Sequence, residues 1–390
     1  MLHNMKAQLA ESPIINGYAK LTTKVHDHVS AIDRQAWDAC FPGELEGHAY
    51  LLAVENSGLD GFRWRYVTVE EDGVILAAMP AFLCDYGLET TLPRGHLHGL
   101  IERIRRIMPG FLKLKLACLG SPCTENGVIG VHPDVPVFRH REIIEKLLSG
   151  FEAAAMAQGA TLLALKDLPL PLDPALAHVL EQRKYVETGG MATAWRQIDF
   201  ETVDDYLATL SAGTRKDMRR KLRAGSAVRV ERIVDLGAYE TRFMELYRQT
   251  RERSEWQFED LTPAYFTGIL RLMPDNAFCA VYLVGDEPLA FNLLLHDGHQ
   301  LVDKFFCMDA DRGRPYNLYY LSWFENIRYC LEKGIGRYQS GQAYYRNKVK
   351  LGSELTQNTM VFRHTNAILH AALKRIAPLL AGDDGKETAP

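Results

Sequence analysis

The stretch from Gln300 to Gly352 constrains the fold more than any other part of the chain. Leu301 to Met308, LVDKFFCM, is rich in β-branched and aromatic residues and reads as a strand; DADRGRP then breaks the period-2 pattern with Asp, Gly and Pro. The helix predicted next, Tyr316 to Lys333, carries Leu318, Leu321, Phe324, Ile327 and Leu331 as one apolar stripe, and Gly334 stops it. IGRYQSG follows as a second strand. Strand, helix and strand make a βαβ crossover of about 30 residues, so both strands belong to one sheet. Ligands of such sheets bind at strand ends.

Arg312, Gly313, Arg314, Tyr316 and Asn317 lie between strand and helix. The first amides of a helix have no intrahelical partner, and Asn317 or Asp311 would cap them. Two arginines beside those amides supply what a diphosphate needs, and make these five residues the expected cofactor site. The bland alternative is a solvated basic turn.

Length and charge bound the function. The 390 residues suffice for two domains, each with its own core. A net charge of −4 excludes wholesale nucleic-acid binding but leaves room for a local basic patch. The seven cysteines are odd in number and widely spaced, which fits free thiols in a reducing compartment. Neither CxxC nor HExxH spacing occurs, so no metal is expected. The N-terminus lacks a signal-peptide pattern and no run of 18 apolar residues appears, so a cytoplasmic location is expected.

In chain order, residues 1 to 25 read as an arm. Helices follow near Ala31 to Cys40 and Glu44 to Asn56, then two strands joined by EEDG, a hairpin signal. Gly95 to Pro109 reads as a basic helix, LKLKLACLG as a strand, and GSPCTENG as a polar loop where a substrate pocket would suit. Helix 142–158, strand ATLLALKDL and a helix after Pro171 complete the first half. The second half repeats the scheme: helix 203–210, the run TRKDMRRKLR, strand VRVERIV, helix 237–253, a further helix, and the meander AFCAVYLV, LAFNLLLHD, QLVDKFFCM. The expected division is 1–198, 199–380 and a disordered tail, 381–390.

The stretches YLATLSAGTRKDMRRKLR, DKFFCMDADRGRPYNLYYLSWF and YQSGQAYYRNKVKLGSEL resemble the GNAT superfamily of acyltransferases. The resemblance is closest to the branch with tandem GNAT-like domains related to Fem-type aminoacyl transferases, and covers residues 203 to 363 best. It implies an α/β (α+β) fold of two tandem GNAT-like domains, each a mixed, mostly antiparallel sheet flanked by helices. The activity it implies is N-acyl transfer from acyl-coenzyme A to an amine of a small or peptide-like acceptor, by direct attack in a ternary complex. The alternative is an aminoacyl-tRNA donor, as in the Fem-type branch, forming a peptide bond on a cell-wall precursor or a metabolite. The loop departs from the usual GNAT pattern, since only Arg312-Gly313 and Arg314 remain of it.

By the same resemblance Tyr345 stands near the tyrosine that protonates the leaving thiolate; an aromatic pair beside a sheet is otherwise packing. Lys304 matches a lysine of this branch and is expected to bind a substrate carboxylate or phosphate. Asp303 would deprotonate the acceptor amine. Strand alternation sends Asp303 and Lys304 to opposite faces, so at least one enters an interior or a cleft; the alternative is that both are exposed on an edge strand or find partners such as Arg337. Gln339, Gln342, Tyr344 and Lys348, at and beyond the second strand, complete the expected substrate set. Arg215, Lys216, Arg219, Arg220, Lys221 and Arg223 crowd one helical run. A solvated face explains such a run in most proteins; tRNA, bound through Arg215, Lys216, Arg219, Arg220 and Arg223, is the alternative.

Overall fold

Asp72 and Gly73 both adopt positive φ, 49° and 84°, the left-handed pair that a two-residue hairpin needs. The EEDG signal therefore does fold the first half's central hairpin. The computed structural model describes residues 20–87, 113–254 and 258–380. The expected helix at Gly95 to Pro109, most of the N-terminal arm and the tail 381–390 lie outside the described residues.

In chain order the strands are β1 (Thr22–His26), β2 (Arg63–Glu71), β3 (Val74–Gly87), β4 (Lys113–Leu119), β5 (Gly130–Val131), β6 (Leu162–Pro169), β7 (Val186–Gly189) and β8 (Thr193–Gln197). They continue with β9 (Val228–Ile233), β10 (Ala277–Val284), β11 (Glu287–His296), β12 (Gln300–Met308), β13 (Arg337–Gly341), β14 (Glu354–Thr356) and β15 (Asn358–His364). One sheet has the order β1-β2-β3-β4-β6-β15-β7, with β5 beside β3; the other has the order β14-β8-β13-β12-β11-β10-β9. Each sheet contains one parallel pair, β4 with β6 and β12 with β13, among antiparallel neighbours. This is a tandem GNAT-like α/β fold, with two mixed sheets flanked by helices.

The sheets exchange strands. β8 lies before residue 198 yet pairs with β13 and β14, and β15 lies near the C-terminus yet sits between β6 and β7. We propose the units 20–189 with 358–380, and 193–356, in place of a linear division at 198/199.

Several helices start at a side-chain cap. Thr202 and Asp205 make a capping box at Val203–Thr209, Ser211 caps Ala212–Ala224, and Asp173 caps Pro174–Gln182 with Pro at its first position. Helices 137–157 and 174–182 pack on the first sheet. Helices 203–209, 212–224 and 318–333 share a core with one face of the second sheet. On its other face, helices 240–253 and 263–272 enclose a core that also takes Tyr50, Ala53 and Val54 from helix His48–Glu55 of the first half. The Tyr50 and Tyr265 hydroxyls meet at 2.9 Å. The two halves therefore share an interior.

Candidate active site

β12 and β13 pair over three positions only: Gln300 with Arg337, Leu301 with Tyr338, and Val302 with Gln339. Past Val302 they part. The β11–β12 register shifts where Leu293 opposes Phe305 and Leu294 opposes Asp303, leaving Lys304 as the extra residue of a bulge. Asp303 turns toward helix 318–333, where it bonds Asn326. Lys304 and Phe305 both turn the other way, the ammonium 5.3 Å from the Tyr50 ring and the phenyl against Tyr247 and Phe266.

Lys304 reaches across to the first half. Its side chain is 2% exposed, and the ammonium bonds the Glu46 carboxylate, the Glu125 carboxylate at 2.9 Å and the Cys123 carbonyl at 2.9 Å. An ammonium has three donors, and all three are engaged. Burial alone would lower the Lys304 pKa; Glu125 and Glu46 outweigh it and hold it well above its ordinary value. The expected role in binding a substrate anion thus meets an ammonium already saturated by the protein, and a buried tie between halves is what the geometry provides. Glu46 and Glu125 share this one ammonium, and burial pushes the Glu46 carboxyl upward despite it.

Both glutamates stand on backbone that is tightly held. Glu46 precedes Gly47, where a Cβ would fall 2.7 Å from Asp38 Oδ1; that carboxylate accepts the His48 N–H as helix 48–55 starts. Glu125 belongs to the GSPCTENG loop, clamped by Lys166 of β6. The Lys166 ammonium donates to the Ser121 and Thr124 carbonyls at 3.1 and 2.6 Å and pairs with Asp167 at 2.8 Å. A Cβ on Gly127 would lie 1.9 Å from the Lys166 carbonyl oxygen, so only glycine lets the loop approach this strand. Burial also raises the pKa of Glu259, with Lys166 and Lys304 opposing it.

Asp303 Oδ2 accepts from Asn326 at 3.0 Å, Tyr338 at 3.1 Å and Asn292 at 3.2 Å. Among the described residues no bond to Oδ1 occurs. Burial pushes the carboxyl up to about 6, against the pull of the Asn292 and Tyr338 bonds.

Beyond β13, Gly341, Ala343 and Tyr344 all take positive φ, 75°, 65° and 54°, which swings the chain into a short helix, Tyr345–Lys350. The Gln342 amide donates to the Glu125 and Met191 carbonyls, both at 3.2 Å. Lys348, buried, donates to the Gln342 carbonyl at 2.8 Å. Tyr345 donates its hydroxyl proton to the Ala192 carbonyl at 2.8 Å. Tyr344 is exposed, and Gln339 is buried within β13. Gln342 and Lys304 therefore converge on Glu125. Lys348 joins them through Gln342, while Tyr344 points to the surface.

The Arg/Gly segment is not an open loop. Ala310–Gly313 and Arg314–Tyr316 are helical turns, and Asp309 caps the first. Asn317 has φ 54° and makes no side-chain cap, contrary to expectation, and Asp311 makes none either; an N-cap side chain bonds the helix amides from extended backbone, and Asn317 is left-handed. The N–H groups of Arg312, Gly313 and Asn317 are spent on Asp309 Oδ1, the Asp309 carbonyl and the Arg314 carbonyl. Arg312 pairs with Glu287, and Arg314 is exposed. Helix 212–224 packs against this turn and the start of helix 318–333, with Lys221 stacked 3.2 Å above the Tyr320 ring. Lys216, Arg219, Arg220 and Arg223 are exposed, with Arg219 near Asp204 and Arg220 on Asp217; Arg215 is half-buried against the Ala208 carbonyl.

Glu46, Glu125, Lys166 and Glu259 were not singled out from the sequence. GSPCTENG, flagged as a pocket loop, contains Glu125 and is the one signal that pointed here. Glu46 reads only as a residue of the helix expected at Glu44 to Asn56, and Lys166 only as a residue of a buried strand. All seven cysteines are free, and no described helix is long and apolar enough to cross a membrane.

The fold has known relatives. The crystal structure of FemX superposes with a TM-score of 0.59 at 14% identity, covering 90% of this chain and 100% of that one. A tandem GNAT protein from the clavulanic acid biosynthesis pathway, solved without AcCoA, gives 0.54 at 13% identity, covering 89% and 99%. A conserved protein of unknown function from Bacteroides thetaiotaomicron gives 0.50 at 10% identity, covering 88% and 100%. At these identities the likeness is one of fold. No curated protein matches the chain in sequence. The FemAB-like family, described by its role in peptidoglycan biosynthesis and recognition, matches residues 137–378. With that match over more than half its length and two GNAT-like units in its fold, the chain is a transferase and belongs to the FemAB-like family.

Proposed function

We propose that the protein joins an aminoacyl group from a charged tRNA to an amine of a small or peptide-like acceptor, by direct attack in a ternary complex. The observation that carries this reading is the turn after β12. The amides of Arg312, Gly313 and Asn317 are spent within it, while helix 212–224, which carries the exposed cations, packs against it. Backbone donors suit a compact diphosphate, whereas spread side-chain cations suit a polyanion. The donor ester would lie where β12 and β13 part, and the acceptor would approach from the junction lined by Glu125, Gln342 and Asp303. The amine loses a proton as the C–N bond forms, and the ribose oxygen gains one as the acyl C–O bond breaks, leaving as the hydroxyl. Asp303 Oδ1 is the atom proposed to take the amine's proton, with Oδ2 held by three donors.

Acyl-coenzyme A is the second reading. It is favoured by the β12–β13 split and by the exposed Arg314 beside the start of helix 318–333.

Filter binding separates the donors. Bulk tRNA should bind and weaken by about 10²-fold between 50 and 200 mM salt, as for some four phosphate contacts. Reversing Arg219, Arg220 and Arg223 to Glu should abolish that binding with the fold intact by circular dichroism. Saturable calorimetric binding of coenzyme A, with tRNA binding indifferent to both salt and the reversal, would favour the second reading.

A further inference from the structure

A cavity of about 30 Å³ lies beside the Lys304 tie, on the first-half side. Its walls are Trp37 and Phe41, stacked at 5.2 Å, with Leu51, Pro80 and Val128; its polar lining is Glu44, Glu46, Thr124 and Asn126. A space of this size holds one or two water-sized groups. Two observations point to a ligand. Among the described residues Glu46 and Glu125 share the single Lys304 ammonium, which leaves the pair short of positive charge, and Glu46 Oε2 accepts no bond. Independently, Trp37 is fully buried, lines the cavity, and has an indole N–H without an acceptor. A buried donor left unpaired is costly, so such groups normally face a partner.

We propose that this cavity is a recognition subsite for a primary ammonium group of the acceptor, held by Glu46 with Glu44 at its mouth, while the Trp37 N–H donates to an oxygen beside it. The inference rests on the amine-acceptor reading above and narrows it. Ion pairing keeps a bound amine protonated and therefore non-nucleophilic, so the group seated here anchors the acceptor while another amine attacks. The aromatic pair adds a face on which a cation is favoured. The acceptor class is then a molecule with at least two amino groups, such as a diamine or a diamino acid.

The test uses the full chain, with n-butylamine and its neutral isostere n-butanol as probes, followed by saturation-transfer NMR. Butylamine should bind saturably and at least about tenfold more tightly than butanol, as one charge-assisted contact would give. Glu46→Gln should erase that preference. Val128→Phe fills the cavity without touching a charge and should also erase it, which keeps the test decisive where Glu46→Gln disturbs the Lys304 tie. Equal binding of the two probes by the native protein would overturn the subsite, as would full butylamine affinity in Val128→Phe. Transfer activity with an unchanged KM for a diamine in Val128→Phe would overturn the subsite and leave the reaction standing. Selective amine binding without transfer from any charged tRNA would do the reverse.

Discussion

Replacing Lys304 with Met keeps its length and removes its charge. The side chains of Lys304, Glu46 and Glu125 are 2%, 12% and 17% exposed, so solvent screens the ion pairs little. Removing the ammonium leaves two enclosed carboxylates without a counter-charge and the Cys123 carbonyl without its lysine donor. Breaking a buried pair from one side costs about 3–5 kcal/mol. An unfolding entropy of about 2.1 cal/mol/K per residue gives roughly 0.8 kcal/mol/K for this chain, so Tm should fall by about 4–6 °C if the halves unfold together. Urea unfolding followed by circular dichroism reads the free energy, and calorimetry reads Tm. In the variant the Glu46 carboxyl, already raised by burial, loses the ammonium that opposes the rise, so the deficit should grow as pH rises from 5 to 8. Adding Glu46→Gln should recover part of the loss, because one stranded charge is removed. A variant within about 1 kcal/mol of the parent at both pH values would refute the tie. Lys304 would then be free for a substrate anion, and the loss would appear in KM.

Three further outcomes follow from the geometry. Asp303 has a folded pKa of about 6 against an ordinary 3.8, so between those values the folded state keeps a proton that the unfolded chain has lost. Stability should therefore fall by about 3 kcal/mol as pH rises through that window. Asp303→Asn keeps an oxygen for Asn292, Asn326 and Tyr338, so urea titrations at pH 4.5 and 7.5 should show the fall flattened; an unchanged slope would contradict the assignment. Tyr345→Phe deletes one hydrogen bond to Ala192, so it should cost about 1 kcal/mol and leave turnover within tenfold; a loss of about 10²-fold would instead mark the phenol as the general acid. A fragment ending at residue 198 lacks β15 between β6 and β7 and should stay unfolded by circular dichroism; a cooperative melt from that fragment would contradict the strand exchange.

The elements legible in the sequence were those whose signals are local. Asp72-Gly73, Gly334 and the stripe from Leu318 to Ile327 each determine structure within a few residues, and the last two carried the β12-helix-β13 crossover. What escaped depends on distant partners. β7, β8 and β14 have four, five and three residues, too few for a period to register, and β15 is a strand only because β6 and β7 flank it. The site divides in the same way. Asp303 and Lys304 stood out as charges inside a strand. Glu46 and Glu125, 258 and 179 residues from Lys304 along the chain, gain their meaning only when the halves close. The Arg/Gly run predicted an open anion loop, yet Asp309 supplied a cap and wound it into a helical turn. In sequence, one Asp before a basic run reads the same either way.

Transfer itself tests the central claim most directly. Purified protein would be incubated with a mixture of tRNAs charged with radiolabelled amino acids and, in parallel, with radiolabelled acetyl-coenzyme A, each with L-lysine as the amine acceptor. Label should move from tRNA into an acid-stable, base-stable amide, and the Arg219, Arg220, Arg223 reversal should stop it. Label passing to lysine from acetyl-coenzyme A alone, undiminished by that reversal, would contradict the claim.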